Sequence, residues 1–416
     1  MRPRRLLHVT PVMPLPTGGG LAMRAASTLK ALSCHFDVEL LVVPVTGPNT
    51  EPSDFVLQHA TRVHRLDLEN HLDPHFSLIS RLKDPVQREH AQRAYPKPYL
   101  SRYCTGESAR HLYDWSSRQD LAAVHVMRLY LAPFAEPFPW LRGSGRPTCV
   151  LDLDDDEVRT RRRMADLHRA CGNREEAERE EVELEKYAAF AARYLSAFDC
   201  VTLCSAADVD QLSRHHTDVR FAVLPNGYDM PSAARRYTPS TSGPLRVLFV
   251  GTLDYFPNSD AAHFLCSDIL RALRDLSDRE VELDIVGSGD IALAPSLHDT
   301  GARVHGYVPS LAPFYADADV AIVPIRAGGG TRIKILEAFA HRVPVVSTTM
   351  GAEGLDVVDG EHLLIGDSAQ ALARACLRIK SEPALARSLM ERAAALCSRS
   401  HDATAIAAAI GNIYRQ

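Results

Sequence analysis

The chain reads as an α/β protein of two doubly wound domains, each a mainly parallel sheet covered by helices. Short apolar runs alternate with stretches of helical periodicity from end to end, the pattern of repeated βαβ units. The 416 residues exceed one ordinary domain, and 46% apolar content is enough for two cores of about 200 residues each. Glycine-rich turns also carry a strand into a helix in both halves, at Gly18–Gly20 and again at Gly328–Gly330.

In the first half, strands are expected at Leu6–Thr10, Asp37–Val43, Ala123–Met127, Thr148–Leu153, Cys200–Cys204 and Phe221–Leu224. Helices are expected at Leu21–Cys34, Glu107–Trp115, Asn173–Phe198 and Ala206–His215. The segment 226–244, NGYDMPSAARRYTPSTSGP, is rich in proline, glycine and serine and reads as a linker. A second alternation follows, with strands at Arg246–Val250, Glu282–Val286, Arg303–His305, Val320–Pro324 and Val345–Ser347. The expected layout is a first domain over 1–225, the linker 226–244, a second domain over 245–400 and a terminal helix in 401–416, able to dock anywhere on the surface. Leu66–Tyr103 fits neither pattern: it is rich in His, Pro and basic residues with Phe76, Tyr95, Tyr99 and Tyr103 interspersed. It reads equally as an acceptor-binding insertion or as a structural loop and helix.

The net charge of -5 and a pI near 6.4 argue against a nucleic-acid binder, which usually carries a strongly basic domain. Small molecules are the expected partners. Nine cysteines scattered without paired spacing fit a reduced, cytoplasmic protein. The basic start MRPRRLLHVTPVMP is followed by too short an apolar run for a signal peptide, and no segment approaches the roughly 20 apolar residues of a membrane span.

The strongest candidate for chemistry is GGGTRIKILEAFAHRVPVVS, residues 328–347. Thr331 is placed to cap a helix whose buried stripe is Leu336, Phe339, Ala340 and Val343. A helix N-terminus carries roughly half a positive charge, so Arg332 and Lys334 in its first turn each cost a few tenths to about one kcal/mol unless an anion is bound. Gly328, Gly329 and Gly330 leave backbone N–H groups open to a phosphate. Glu337, nearly two turns in, suits hydroxyls instead. The alternative is a Lys334–Glu337 pair on a solvated face, worth only a few tenths of a kcal/mol.

The block GTRIKILEAFAHRVPVVST, the run VLFVGTLDYFPN, the DIVGSG and VHGYV runs and the VLPNGYD at the start of the linker occur in one order. In this the chain resembles the family 4 glycosyltransferases of GT-B fold, retaining nucleotide-sugar enzymes, over its whole C-terminal half. The resemblance implies two Rossmann-like domains facing a central cleft, with transfer of a sugar from a nucleoside diphosphate donor to an acceptor with retention. No cofactor or metal is implied, the nucleotide sugar being a substrate. A nucleotide-sugar epimerase or hydrolase on the same fold, or a non-catalytic nucleotide-sugar-binding regulator, are the rival readings.

The resemblance also assigns positions. Of the family's two glutamates eight residues apart, Glu337 matches the second, which binds the ribose, while Gly329 stands where the first would be. The family's Arg and Lys after the first strand of the second domain are absent at Gly251, Thr252 and Leu253, so Arg332 and Lys334 are the expected replacements against the diphosphate. His305 and Tyr307 border the base. Gly19 and Gly20, with Gly18, would lie against the donor phosphate or the acceptor, and Arg24 would point into the same cleft. His125 matches the first of two family histidines and Met127 replaces the second. In DLDDDE, residues 152–157, Asp152 or Asp154 is expected to contact the acceptor, while Arg159, Arg161, Arg162 and Arg163 neutralise the other acids. The candidate catalytic set is therefore Arg332, Lys334, Asp154 and His125. The sequence specifies neither acceptor nor oligomeric state, and it leaves a peripheral membrane contact open.

Overall fold

A computed structural model describes residues 4–46, 50–116, 121–138, 146–231, 241–289 and 301–415. The chain divides into two compact units, Met1–Asn226 together with Ile406–Gln416, and Gly227–Ala405. Of the expected linker at 226–244, residues 232–240 lie outside the described residues.

The first unit is built on a seven-stranded sheet in the order β3-β2-β1-β4-β5-β6-β7. Its strands are β1 Arg5–Thr10, β2 Asp37–Val42, β3 Arg62–Arg65, β4 Leu121–Met127, β5 Thr148–Asp154, β6 Cys200–Leu203 and β7 Phe221–Val223. Every pairing is parallel. A parallel sheet is covered on both faces, so its central strands must be apolar on both sides, and LLHVT of β1 and LLV of β2 are buried throughout. Strand β3, RVHR, lies at the sheet edge and carries no apolar run, which is why the sequence did not reveal it.

The segment after β3 folds into helices Pro74–Ser80 and Pro85–Ala94. Asp73 accepts from the His75 N–H, Asp84 accepts from those of Val86 and Gln87, and a proline occupies each first turn, where no N–H is missed. Phe76, Ile79 and Tyr95 form a small core of their own. Tyr95 Oη and Lys97 Nζ both donate to Asp73, at 2.9 and 2.8 Å. Phe76 and Tyr95 therefore serve packing, and Arg102 covers the rings of Tyr99 and Tyr103 at 3.8 and 4.4 Å.

The C-terminal helix, Ala403–Arg415, has a specific berth on this unit. Ile406, Ile410 and Ile413 enter the core formed by Phe36, Val38 and Leu40. His35 Nε2 lies 2.8 Å from the Ala407 carbonyl oxygen, and Arg220 donates to that of Ile413 at 3.4 Å.

The second unit holds a six-stranded sheet in the order β10-β9-β8-β11-β12-β13. Its strands are β8 Leu245–Val250, β9 Val281–Val286, β10 Arg303–Val304, β11 Val320–Val323, β12 Val345–Ser347 and β13 Leu364–Ile365. Helices Ala369–Ser381 and Pro383–Ser400, with buried stripes at helical spacing, complete its core. In each sheet the strand order reverses once, between β1 and β4 and between β8 and β11. The loops leaving the two strands at a reversal diverge and open a crevice at their carboxyl ends, where doubly wound sheets bind ligands. Among the described residues no helix is long and apolar enough to cross a membrane.

Candidate active site

At the reversal of the second sheet, β8 leads into Gly251 and β11 into the turn 324–332. The helix begins at Ile333, not at Thr331, with Arg332 in the N-cap position and no side-chain cap bond. Thr331 is buried, and it is the Arg332 side chain that organises the turn. Its guanidinium folds back to donate to the Gly329 and Gly330 carbonyls, and at 3.5 Å to that of Ala327. Gly328 and Gly330 have φ of 109° and 69°, the left-handed region open to glycine, and a Cβ on Gly328 would stand 3.2 Å from the guanidinium. These are two distinct reasons for glycine in one turn. Gly329 does not share the positive φ of its neighbours, and its carbonyl is one that Arg332 holds.

Lys334 turns toward β8. Its Nζ donates to Asn258 Oδ1 at 2.7 Å, lies 4.8 Å from the centre of the Phe249 ring, and sits 2.8 Å from where a Cβ on Gly251 would be. Asn258 is fixed in turn by donating to the Thr252 carbonyl at 2.9 Å. Burial, reinforced by the nearby Arg332, pulls the ammonium down to about 7. Neither Lys334 nor Arg332 forms an ion pair among the described residues. Two basic side chains gathered at a strand-order reversal, with no carboxylate paired to them among the described residues, are an arrangement with the chemistry to accept an anion.

Glu337 is not on a solvated face, so the expected alternative of a surface Lys334–Glu337 pair does not hold. It is 7% exposed, with Oε1 accepting from Tyr228 Oη and Oε2 from Tyr315 Oη, both at 3.1 Å. Burial outweighs those two bonds and raises the carboxyl to about 6. His341 stacks on Tyr315, with ring centres 4.7 Å apart, and its Nε2 is 3.3 Å from Tyr228 Oη. Each carboxylate oxygen retains a second lone pair, so hydroxyls of a ligand remain within its accepting capacity.

The turn after β9 is fitted to Gly251. Gly287 has φ 154°, its N–H donates to the Gly306 carbonyl at 2.9 Å, and any Cβ there would overlap the Gly251 carbonyl. Gly287→Ala should therefore displace the Gly251 turn, lower stability by roughly 1–3 kcal/mol through overpacking and abolish ligand binding at Gly251. A thermal-unfolding midpoint equal to that of the parent chain would show that the turn absorbs the methyl group. His305 Nε2 lies 2.6 Å from Asp284 Oδ1 and its N–H donates to the Ile285 carbonyl at 2.9 Å, so its ring is engaged along the sheet edge and of its backbone only the carbonyl is left to meet a ligand. Tyr307 is 74% exposed, and Tyr255 also stands out from the surface near Gly328.

The first unit alters several expectations. Gly18 has φ 113°, Gly19 takes the N-cap position and Gly20 starts helix Gly20–Ser33. Nothing lies within 4 Å of a Cβ on Gly18 or Gly19, so that turn faces open space. Arg24 does not point into a crevice: it is 1% exposed, donates to both Asp152 oxygens at 2.6 and 3.0 Å, and to Asn226 Oδ1 at 2.8 Å. Asp152 is wholly enclosed. Burial opposes its ionisation, but Arg24 outweighs burial and holds the carboxyl below the usual carboxylate range.

His125 is a core residue in the middle of β4, 0% exposed, with Nδ1 2.9 Å from Tyr414 Oη. An enclosed imidazole cannot reach a substrate, which removes it from the catalytic set. The neighbouring His8, also enclosed, places Nδ1 3.1 Å from the His125 carbonyl oxygen. Burial depresses both rings, to about 4 and about 3. A histidine whose folded pKa lies below its unfolded value stabilises the fold fully above pH 6.5 and progressively less as the pH falls toward the folded value. These two rings should thus withdraw on the order of a few kcal/mol between pH 6.5 and 4, and His125→Gln should make the acid limb shallower in a pH series of urea midpoints.

The acidic run is neutralised in part from an unexpected direction. Arg159 pairs with Asp208 and Arg161 with Glu180, while Arg159 also favours the ionised form of Asp156 and Arg161 that of Glu157. To these Arg128, immediately after β4, adds direct bonds, donating to Asp155 Oδ1 at 2.6 Å and Glu157 Oε1 at 2.7 Å. Asp154 lies 3.4 Å from both Arg24 and Arg128. It ends β5 at φ 68°, with 20% of its side chain exposed. Sequence reasoning had not assigned Asn258, Tyr228, Tyr315 or Arg128. Asn258 and Tyr228 sit inside the quoted VLFVGTLDYFPN and VLPNGYD runs, while Tyr315 and Arg128 carry no motif.

Residues 244–382, a third of the chain centred on this second-unit site, match the family model Glycosyl transferases group 1. No curated protein matches the chain significantly. Among solved structures, sucrose-phosphate synthase from Thermosynechococcus elongatus is similar at 18% identity and a TM-score of 0.69, covering 99% of this chain and 98% of that one. HepE from Anabaena, solved with UDP and glucose, matches at 14% identity and a TM-score of 0.64, covering 99% and 100%. The trehalose 6-phosphate synthase of Burkholderia multivorans matches at 14% and 0.64, covering 100% and 97%. The fold is GT-B, the expected pair of doubly wound parallel sheets.

Proposed function

We propose that the protein is a glycosyltransferase that moves a sugar from a nucleoside diphosphate sugar to an acceptor with retention of anomeric configuration, in the manner of family 4. One observation carries this reading. Arg332 and Lys334, two basic residues without a carboxylate partner among the described residues, converge on glycine turns at the strand-order reversal of the unit that matches the glycosyltransferase model. A diphosphate supplies the missing charge, and Glu337, with a free lone pair on each oxygen, takes the ribose hydroxyls. Gly251, Thr252, Gly329 and Gly330 line the phosphate path through their backbone, and the backbone of His305 and Tyr307 borders the base. The HepE structures, solved with UDP, UDP-glucose or UDP and glucose, support uridine as the first base to test.

As the bond to the anomeric carbon breaks, negative charge grows on the leaving diphosphate. Lys334 and Arg332 stabilise that charge, a stronger effect in the transition state than in the bound donor. The same phosphate oxygen, on the retained face, takes the acceptor's proton, and Asp154 contacts the acceptor. This assigns the charge compensation to two side chains, with no metal or redox cofactor taking part.

Calorimetry with UDP tests the reading. Lys334 has a pKa near 7 in the free protein, so above that pH it is mostly neutral, and a bound diphosphate restores its proton. UDP binding at pH 8 should take up close to one proton, seen as a dependence of the apparent enthalpy on buffer ionisation heat, and affinity should fall as the pH rises from 7. Binding without proton uptake would remove Lys334 from the phosphate site. Donor consumed to free sugar whatever acceptor is offered would identify a hydrolase, and binding without any turnover a regulator.

A further inference from the structure

We propose that Arg128 is a positioning residue: it locks the ends of β4 and β5 so that Asp154, and none of its acidic neighbours, is presented to a hydroxyl of the acceptor. The acceptor's part in this rests on the transfer reaction proposed above.

Arg128 has φ 70° and ψ 138°, a backbone conformation that belongs almost entirely to glycine. A residue with a side chain stays there only when its surroundings fix it. Here the Arg128 N–H donates to the Asp152 carbonyl at 2.7 Å, and one guanidinium nitrogen donates to the Leu153 carbonyl at 3.0 Å and to Asp155 at 2.6 Å. The other reaches Glu157 at 2.7 Å. A single residue from the end of β4 thereby ties down the last residues of β5 and the first turn of the helix Glu157–Ala170 that follows.

The neighbouring acids are committed to holding this arrangement. Asp152 is bound by Arg24 and also accepts from Thr202 at 3.0 Å, and Asp155 accepts from Thr160 at 2.6 Å as well as from Arg128. Asp154 is different. Its contacts, 3.3 Å from Asn226 Nδ2 and 3.4 Å from Arg24 and Arg128, are all long, and its side chain is 20% exposed where those of Asp152, Asp155 and Glu157 are 0, 8 and 6% exposed. Its own φ of 68° turns it out of the strand. Asp152, Asp155 and Glu157 hold the turn, Asp156 caps the following helix by accepting from the N–H groups of Val158 and Arg159, and Asp154 keeps accepting capacity on both oxygens at the carboxyl edge of the sheet, one strand from the reversal of strand order.

The test uses the full chain with 13C-labelled aspartate, and the Asp154 carboxyl resonance is assigned by its loss in Asp154→Asn. In Arg128→Gly, where the backbone can relax but the guanidinium is gone, the Asp154 titration should move upward by about half a unit or more. UDP affinity by calorimetry should stay within about twofold of the parent chain, because the change lies outside the phosphate site. With UDP-glucose as donor, kcat should fall about tenfold or more with the donor KM unchanged. Added guanidinium ion should restore part of the rate, which a merely structural defect would not allow. Should Arg128→Gly fail to fold, Arg128→Lys, which keeps the charge but loses the fork, decides by the same titration. An unmoved Asp154 titration overturns the proposal. A parent chain that neither binds UDP nor consumes UDP-glucose would overturn the nucleotide-sugar reading alone, and the Asp154 titration would still decide the role of Arg128.

Discussion

Lys334→Met should lower kcat/KM for the nucleotide-sugar donor by roughly 100-fold or more and weaken UDP binding, while leaving the folded state intact. The donor's diphosphate would lose a charge-assisted bond and the transition state a compensating cation, effects that each reach about 2–4 kcal/mol in an enclosed site. Methionine keeps an unbranched side chain of similar length, and its thioether can rest against the Phe249 ring, from whose centre the Lys334 Nζ lies 4.8 Å. The substitution also removes a cation whose burial already disfavours its charge. Asn258 loses one partner but keeps its bond to the Thr252 carbonyl. Thermal unfolding near the parent midpoint together with lost UDP affinity is the expected pair of results. Parent-like UDP affinity would show that the anion binds elsewhere, and a collapsed midpoint would show that the ammonium serves the fold.

Ending the chain after Asp402, which deletes helix Ala403–Arg415, should prevent stable folding of the first unit. Ile406, Ile410 and Ile413 are buried to within a few per cent of completely. At about 1.5–3 kcal/mol for each such side chain, their loss costs roughly 5–9 kcal/mol, comparable to the whole stability of an ordinary domain. The deletion also strips Tyr414 from His125, leaving an enclosed imidazole nitrogen without its partner. Aggregation on expression, or a first unit that has lost its cooperative unfolding transition, is expected. The point variant Ile410→Ala provides the graded case and should cost about 2–5 kcal/mol in urea unfolding. A shortened chain with an unchanged urea midpoint would mean that the helix is a surface appendage after all.

Much of the second-unit site was legible in the sequence because its constraints are local. A glycine turn running into a helix with cations at its start is a statement about neighbours in the chain, and Gly330, Arg332, Lys334 and Glu337 all lie within eight residues of one another. Less legible was what each side chain does. The same spacing that predicts a first-turn Arg332 is compatible with a helix beginning two residues later, and only the bonds from the guanidinium to the carbonyls behind it place Arg332 at the cap. Glu337 could be read as a partner of Lys334 at i,i+3. What decides otherwise is Tyr228 and Tyr315, 109 and 22 residues away in sequence.

The first unit shows the same division more sharply. Apolar runs located β4 and β5 to within a residue or two, yet the roles of their polar residues depended on strand neighbours. His125 in VHVMR matches a family histidine, but its ring is wholly enclosed, and Tyr414 from far along the chain lies 2.9 Å from its Nδ1. Arg24 follows a glycine turn that suggests a ligand, but Asp152, 128 residues on, takes both of its carboxylate-binding nitrogens.

By itself the sequence determined the two doubly wound sheets, the glycine turns and the helix that follows the second of them, because periodicity, turn chemistry and helix polarity act between residues close in the chain. Only the tertiary structure decided which charges are already satisfied. It paired Arg24 with Asp152, left Lys334 and Arg332 without a carboxylate, and set Arg128 among the acids of β5. The physical reason is that the cost of a buried charge depends on whatever distant strand or helix is packed against it, and parallel sheets bring together residues that are far apart in sequence.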